Sequence, residues 1–470
     1  MKIFARIYYL TIKIAPVSAI AGLAAWLVQG IMPAFQAVLL GRIFDSGYGF
    51  VNGTAALNDA LRYCFVFLLV YGIVKVIEFS LSITVNAGIY EKCNSFHKLR
   101  IAEKTAALPL ESLEDSNVLN LQERSKTCVN RETLSGIFMS SALFIINTVS
   151  LVSLTAVLGA YHLALIPVSL VSAVPFFVAV RVRGREFYYL KQGQAKKSRL
   201  INYLWSLFGD KKAARDMRVM NFGDYLSGKW QSARQEVNDE LWQQERKDAI
   251  SLLFCDFLKL AAYIASILIA LIFTLRGEIS IGLFGACIAA FKSVQEAAKN
   301  LLTRLGRLPE QLLFAKDYFA YLDLEEDTEG GGKTIGAIET LSADAVSFMY
   351  PNTTAFAVHG ASLTVRKGEK VVILGENGSG KTTFVKLLLG MYQPANGTVR
   401  YNGIPLTELH RPELYKKLSL VAQNFVPYKL TLRENIAIAD VDRLSDDEGI
   451  RQALLRGGGA DVLEKAGPDT

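Results

Sequence analysis

The chain has 470 residues, 51% of them hydrophobic and 20% charged, with a formal net charge of +7. That length holds two or three domains, and that apolarity is unlike an ordinary soluble enzyme. The basic residues lie between apolar runs rather than on a basic face with aromatics, which argues against a nucleic-acid partner. The five cysteines (Cys64, Cys93, Cys128, Cys255, Cys287) form no CxxC pair and no Cys/His metal spacing, so they read as unpaired thiols.

In chain order, Lys2, Arg6 and Lys13 precede an apolar run far longer than the core of a signal peptide, with no clear small-residue cleavage site. That run, Ile14 to Gly41, carries no charge and is long enough to cross a bilayer as a helix. A second span covers about Tyr63 to Tyr90 and carries Lys75 and Glu78, three apart on one helical face. Thr133 to Val180 contains no Asp, Glu, Lys or Arg. It accommodates two spans, with His162 and Pro167 at the hairpin between them. A fifth span covers about Ala249 to Leu275 and again holds ionisable residues three apart, Asp256 and Lys259. The sixth begins at Ile281. From Lys292 onward Glu296, Lys299 and Arg304 continue at helical spacing, as in a helix leaving the bilayer or lining a wet cavity. For Lys75/Glu78 and Asp256/Lys259 two readings stand: contact with a substrate in a polar path, or mutual neutralisation within each pair.

Orientation follows from the basic residues. About fifteen Lys and Arg lie between Arg181 and Lys247 and about seven between Glu91 and Glu132, whereas the alternate connections are nearly bare. Both termini therefore read as cytoplasmic. The two basic segments are rich in helix formers, so spans two to five are expected to continue as helices beyond the bilayer. They would close in turns near Leu108 to Asp115, where Pro109 ends a helix, and near Leu207 to Asp210.

After Leu324 an acidic and then glycine-rich run, Glu325 to Gly332, marks a flexible boundary. The composition thus divides the chain into a membrane domain at 1–324, a linker at 325–337 and a second domain at 338–470. In the last, Val371-Val372-Ile373-Leu374 reads as a strand buried on both faces. It runs directly into Gly375-Glu376-Asn377-Gly378-Ser379-Gly380-Lys381-Thr382, and a helix is expected from Thr383. Strand, GxxxxGK[ST] and helix together form the context of a phosphate-binding loop. Glycines let backbone N–H groups curve around phosphates at a helix N-terminus. Lys381 reaches β- and γ-phosphate oxygens, and the Thr382 hydroxyl is placed to coordinate Mg2+. A nucleotide-binding module fused to membrane spans points to transport driven by ATP.

With these motifs the sequence resembles exporter-type half-transporters of the ABC transporter family, and the resemblance covers essentially the whole chain. The expected fold is an all-α six-helix transmembrane domain followed by an incomplete α/β P-loop NTPase domain. The resemblance implies that Tyr350, 25 residues before Gly375, stacks on adenine. It also implies that Gln423, in Leu420-Val421-Ala422-Gln423-Asn424, meets Mg2+ and senses the membrane domain. The ATP site then comprises Tyr350, Gly375, Glu376, Asn377, Gly378, Ser379, Gly380, Lys381, Thr382, Thr383 and Gln423, with Thr382 and Gln423 at the metal. Thr431 to Ile436 resembles the stretch that follows the glutamine loop, and the two cytoplasmic turns fall where the family has coupling helices.

Leu113-Glu114-Asp115 and Arg215 to Met220 resemble segments of bacterial exporters, among them lantibiotic and other peptide exporters. No N-terminal cysteine-protease domain precedes the first span, so leader cleavage is not expected. The family's LSGGQ signature, Walker B aspartate, catalytic glutamate and switch histidine do not occur in the sequence. Gly467-Pro468-Asp469-Thr470 resembles the stretch just before the signature, so hydrolysis by this chain alone is expected to be negligible. The resemblance implies a dimer of half-transporters in the lipid bilayer that exports a peptide, lipid or drug-like substrate by alternating access. The alternative is a non-hydrolytic ATP-binding subunit that acts beside an intact partner or is inactive.

Overall fold

A computed structural model describes residues 2–81, 83, 87–163, 166, 167, 190, 193, 194, 197–327, 330–422, 425 and 428–465. The chain divides into two compact units, Met1–Asp327 and Thr328–Thr470, taken here one at a time.

The first unit is helical. α1 (Lys2–Ile14), α2 (Pro16–Val51), α3 (Leu57–Ser80), α4 (Gly88–Ala107), α5 (Ser116–Asn130) and α6 (Thr133–Tyr161) are followed by α7 (Lys211–Val219), α8 (Gly223–Leu275) and α9 (Ile281–Leu322). Among the described residues five helices are long and apolar enough to cross a membrane: α2, α3, α6, α8 and the Ile281–Leu305 part of α9. The span expected after the His162/Pro167 hairpin lies largely outside the described residues.

Local chemistry sets where the helices stop. α4 ends before Leu108-Pro109, a 3-10 turn covers Leu110–Glu114, and the Asp115 carboxylate caps α5 by accepting from the Asn117 N–H at 2.8 Å. Asp210 does the same for α7, accepting from the Ala213 N–H at 2.8 Å.

Within the spans, small residues let helices approach closely. A Cβ built on Gly30 of α2 would lie 2.8 Å from Val149 Cβ of α6, and beside it Ser150 Oγ donates to the Gly30 carbonyl at 2.8 Å. At the other end of α2, Asp45 accepts from Ser280 Oγ at 2.9 Å and from the Gly282 N–H at 2.8 Å, holding the first turn of α9. Lys75 and Glu78 pair with each other at 2.7 Å. Asp256, by contrast, does not follow the reading of mutual neutralisation with Lys259. Its carboxylate meets Lys299 of α9 at 3.2 Å, because α8 packs on α9 along the face that carries it.

Beyond the spans α1, α4, α5 and α9 share a core around Ile7, Ile101, Cys128, Tyr318 and Tyr321. Its buried polar groups are partnered. His97 Nδ1 lies 2.7 Å from the Tyr318 hydroxyl, and Lys104 Nζ donates to the Leu324 carbonyl at 2.6 Å and to Glu326 at 2.8 Å. Arg6 forks onto both oxygens of Asp323 at 2.9 Å and covers the Phe319 ring.

The second unit is built on a four-stranded antiparallel sheet in the order β2-β1-β3-β4, from β1 (Thr340–Phe348), β2 (Val358–Arg366), β3 (Asn396–Tyr401) and β4 (Ile404–Pro405). Helix α10 (Lys381–Leu388) packs Phe384 and Leu387 into a core with Ala343, Val346, Phe348, Tyr392, Val399 and Tyr401. Four short helices follow: α11 (Arg411–Tyr415), α12 (Leu432–Ala437), α13 (Asp447–Arg456) and α14 (Ala460–Lys465). α12 opens on a reciprocal capping box between Thr431 and Glu434, whose hydrogen bonds hold the Glu434 carboxyl below its usual range.

Val371–Leu374 departs from expectation. It joins no ladder among the described residues, and all four side chains are exposed. A run of this kind is buried only when strands flank it on both sides, and no described strand lies beside it.

Candidate nucleotide-binding site

The loop between Leu374 and α10 owes its shape to its glycines. Gly378 and Gly380 have φ of +84° and +86°, in the left-handed region that favours glycine. A Cβ on Gly380 would also lie 2.1 Å from the Ala357 carbonyl oxygen. Gly380 therefore admits no other residue without rearrangement. The Phe384 N–H donates to the Gly380 carbonyl at 2.8 Å, which starts α10 where the loop ends.

Helix α10 is braced from below, since Phe384 and Leu387 are buried against the sheet and the Tyr401 hydroxyl donates to the Leu388 carbonyl at 2.9 Å. Its N-terminal end, with the positive end of the helix dipole, faces back along the glycine loop. Lys381, the first residue of α10, bends back so that Nζ donates to the Gly375 carbonyl at 2.8 Å and the Glu376 carbonyl at 2.6 Å. The ammonium thus lies over the loop, held by carbonyls that an anion's oxygens can replace. Glu376, Asn377, Gly378, Ser379 and Thr382 are exposed. The loop has the conformation, the cation and the free rim that a triphosphate requires.

Tyr350 is brought to this loop. Its hydroxyl lies 2.9 Å from Thr383 Oγ1, one residue past Thr382, and Thr383 is buried. The Tyr350 ring stands edge-on to Phe348 and to Tyr392 at centroid distances of 5.2 and 5.8 Å, and Phe348 and Tyr392 stack at 4.9 Å. Lys386 Nζ donates to the Tyr392 hydroxyl at 2.7 Å and fixes that ring. Tyr392 was not anticipated from sequence, because an aromatic after a short helix carries no pattern of its own. Of the expected site residues, the structure gathers Tyr350 and Gly375 to Thr383, while Gln423 lies outside the described residues.

Residues 358–466 match the family described as ABC transporter. The chain carries a domain of the ABC transporter family. Its likeness extends through the membrane region. It is 25% identical over 406 residues to the nisin transport ATP-binding protein NisT of Lactococcus lactis subsp. lactis, covering 84% of this chain and 66% of that protein. It is 26% identical over 366 residues to the subtilin transport ATP-binding protein SpaT of Bacillus subtilis, covering 76% of this chain and 58% of that one. An ATP-dependent lipid A-core flippase of Chromobacterium violaceum is 30% identical over 168 residues, 36% of this chain and 29% of the flippase. The chain thus spans just under two thirds of the first of these relatives and less of the others. The apolar helices and these relatives make it a multi-pass membrane protein, and its ABC transporter domain implies ATP binding.

Proposed function

We propose that this ABC protein exports a substrate by alternating access, paired with a second half-transporter in the bilayer. The observation that carries the reading is the glycine loop, closed by Lys381 on a braced helix, in one chain with five bilayer-length apolar helices among its described residues. ATP supplies the binding energy that draws two nucleotide domains together. On this chain Lys381 exchanges the Gly375 and Glu376 carbonyls for phosphate oxygens, and the loop amides from Gly378 to Thr382 surround them. Tyr350, held by Thr383, offers a ring to the base, and the exposed Thr382 hydroxyl, with Gln423 as the family resemblance implies, would hold Mg2+. Both termini and the Leu108–Asp115 and Leu207–Asp210 turns lie on the cytoplasmic side, in keeping with the basic segments. The turns receive the motion of the nucleotide domains. The domain limits stay at 1–324, 325–337 and 338–470.

The test is Lys381→Ala in the full chain, read by binding of a fluorescent ATP analogue with and without Mg2+. The variant loses affinity by at least about tenfold, because a charge-assisted contact to phosphate is removed. Unchanged affinity would overturn the ATP-site assignment. Export itself is read as ATP-dependent uptake into inverted vesicles.

A further inference from the structure

Among the described residues of the helical unit, four helical paths run from the spans into the bundle beyond them, and each is interrupted. α1 gives way to α2 at Ala15, whose φ of −132° and ψ of 64° are not helical, and Pro16 has no N–H to continue the ladder. Between α3 and α4, residues 81, 83 and 87 are π-helical, a winding that marks a local defect. Glu132, between α5 and α6, has a φ of +53° in the left-handed region, which is costly for a residue with a Cβ. Pro309 interrupts α9 by removing the N–H that would meet the Leu305 carbonyl.

The interruptions lie at one level. The bilayer-length apolar segments begin or end beside them, at Pro16, Ser80, Thr133 and Leu305. A Cβ on Gly88 would lie 2.9 Å from Ser18 Oγ, and one on Gly136 would lie 3.7 Å from Gln311 Nε2. Cys93 of α4 hydrogen-bonds with Ser135 of α6 and Thr11 of α1. A cavity of about 470 Å³, lined by Leu81, Tyr90, Gly136, Arg304 and Gln311 among others, leaves room there. α8 is the control: it passes from polar to apolar sequence as one unbroken helix of 53 residues. Leaving an apolar segment does not by itself break a helix. On either side of the level the packing is separate. The spans hold Ala34, Leu154 and Phe291 in one core, and the bundle holds Ile101, Cys128 and Tyr318 in another. Small residues, Ala15, Ala19, Cys93 and Ala142, lie between and interlock little. Two buried oxygens beside them, Asn94 Oδ1 and Gln311 Oε1, accept no hydrogen bond, so an arrangement that pairs them offsets part of the cost of bending.

We propose that this level is a pivot, at which the bundle of α1, α4, α5 and the end of α9 tilts as one body against the spans. The pivot goes beyond the export reading, because tilting itself needs no nucleotide. Under that reading the Leu108–Asp115 turn, at the far end of the bundle, drives the tilt. Leu119 stands about 20 Å along α5 from Glu132. A tilt of about 15° moves it by about 5 Å.

The experiment measures spin-label distances by double electron–electron resonance on the full chain in phosphatidylcholine nanodiscs, with labelled protein diluted by unlabelled. Cys64→Ser first removes the exposed cysteine. Leu119→Cys with Trp242→Cys reports the bundle against unbroken α8, and Val152→Cys with Leu268→Cys reports the spans; all four positions are exposed. Without nucleotide the bundle pair is broader than the span pair by about 5 Å. Glu132→Gly removes the cost of the left-handed φ and widens the bundle pair further. Pro16→Ala combined with Pro309→Ala restores both helical ladders and narrows it. Thermal unfolding and binding of the ATP analogue show that each variant is folded. A bundle pair no broader than the span pair, or a width that neither variant moves, overturns the pivot. With the ATP analogue bound, the mean of the bundle pair shifts by about 5 Å while the span pair stays. A width that responds to the variants, with a mean that the analogue leaves in place, supports the pivot and counts against the nucleotide-driven export reading alone.

Discussion

Two apolar, strand-like runs of the nucleotide unit have opposite fates. β1 (Thr340–Phe348) pairs with β2 on one side and β3 on the other, and Val346 is 0% exposed. Val371–Leu374 resembles it in composition, yet Val372 is 77% and Leu374 85% exposed; Val421, in the run before Gln423, is 89% exposed. An apolar, β-branched pattern states a capacity for burial, and ladder partners decide whether it is used. The phosphate loop is therefore supported unequally. The helix after it rests on the sheet, and the segment before it pairs with no described strand.

The sharpest way to break this comparison is a matched pair of truncations, read by chemical unfolding of the full chain. Phe348→Ala removes a buried ring stacked on Tyr392 and costs about 3–5 kcal/mol. Leu374→Ala stays within about 0.5 kcal/mol, as at an exposed position. A cost at Leu374 comparable to that at Phe348 would show that the segment is buried after all. Hydrogen exchange adds resolution: amides of 371–374 exchange quickly, while those of β1 are protected.

Gly380→Ala tests the junction between the braced and unbraced sides. The residue would combine a φ of +86° with a contact on the Ala357 carbonyl, a cost of about 3 kcal/mol. The loop must move to relieve it, so affinity for the ATP analogue falls. Retained affinity and stability would mean that the loop tolerates another conformation.

Much of this was legible in the sequence because the signals are local. Charge-free runs of bilayer length, Pro109 with Asp115, and the glycine loop each act through near neighbours in the chain. What was missed depends on distant partners. Asp256 chose Lys299 of α9 over Lys259, three residues away. Tyr350 found Thr383, and the 371–374 run found no strand at its side. Arg304 and Gln311 share a cavity with Gln29 and Glu78 only once α2, α3 and α9 have assembled.

The helical bundle beyond the spans supplies the converse case, polar groups buried with partners. His97 is buried among α4, α9 and their neighbours, and burial pushes its imidazole down to about 4. The folded protein therefore keeps His97 neutral between its usual pKa and about 4, while the unfolded chain takes up a proton there. Its contribution is complete above pH 6.5 and is lost as pH falls towards 4, by about 3 kcal/mol in all. His97→Asn flattens that part of the stability profile, measured as the difference in unfolding midpoint between pH 7 and pH 5. An unchanged profile would place the imidazole in contact with water.

A smaller loss than at His97 is expected at Lys104, where a buried cation depends on one carbonyl and one exposed carboxylate. Lys104→Met keeps the aliphatic stem and removes the donor, leaving the Leu324 carbonyl without its hydrogen bond at 2.6 Å and Glu326 without its ion pair. The carboxylate is exposed and can turn to water, so its loss costs little. The carbonyl sits against the buried stem, and leaving it unpaired costs about 1–2 kcal/mol. Because both partners follow α9 directly, the loss should fall on residues 324–327 rather than on the bundle. Limited proteolysis would then cut faster after Leu324 while the unfolding midpoint moves little. A large drop in the midpoint with no change in cleavage would mean that Lys104 braces α4 itself and not the chain leaving α9.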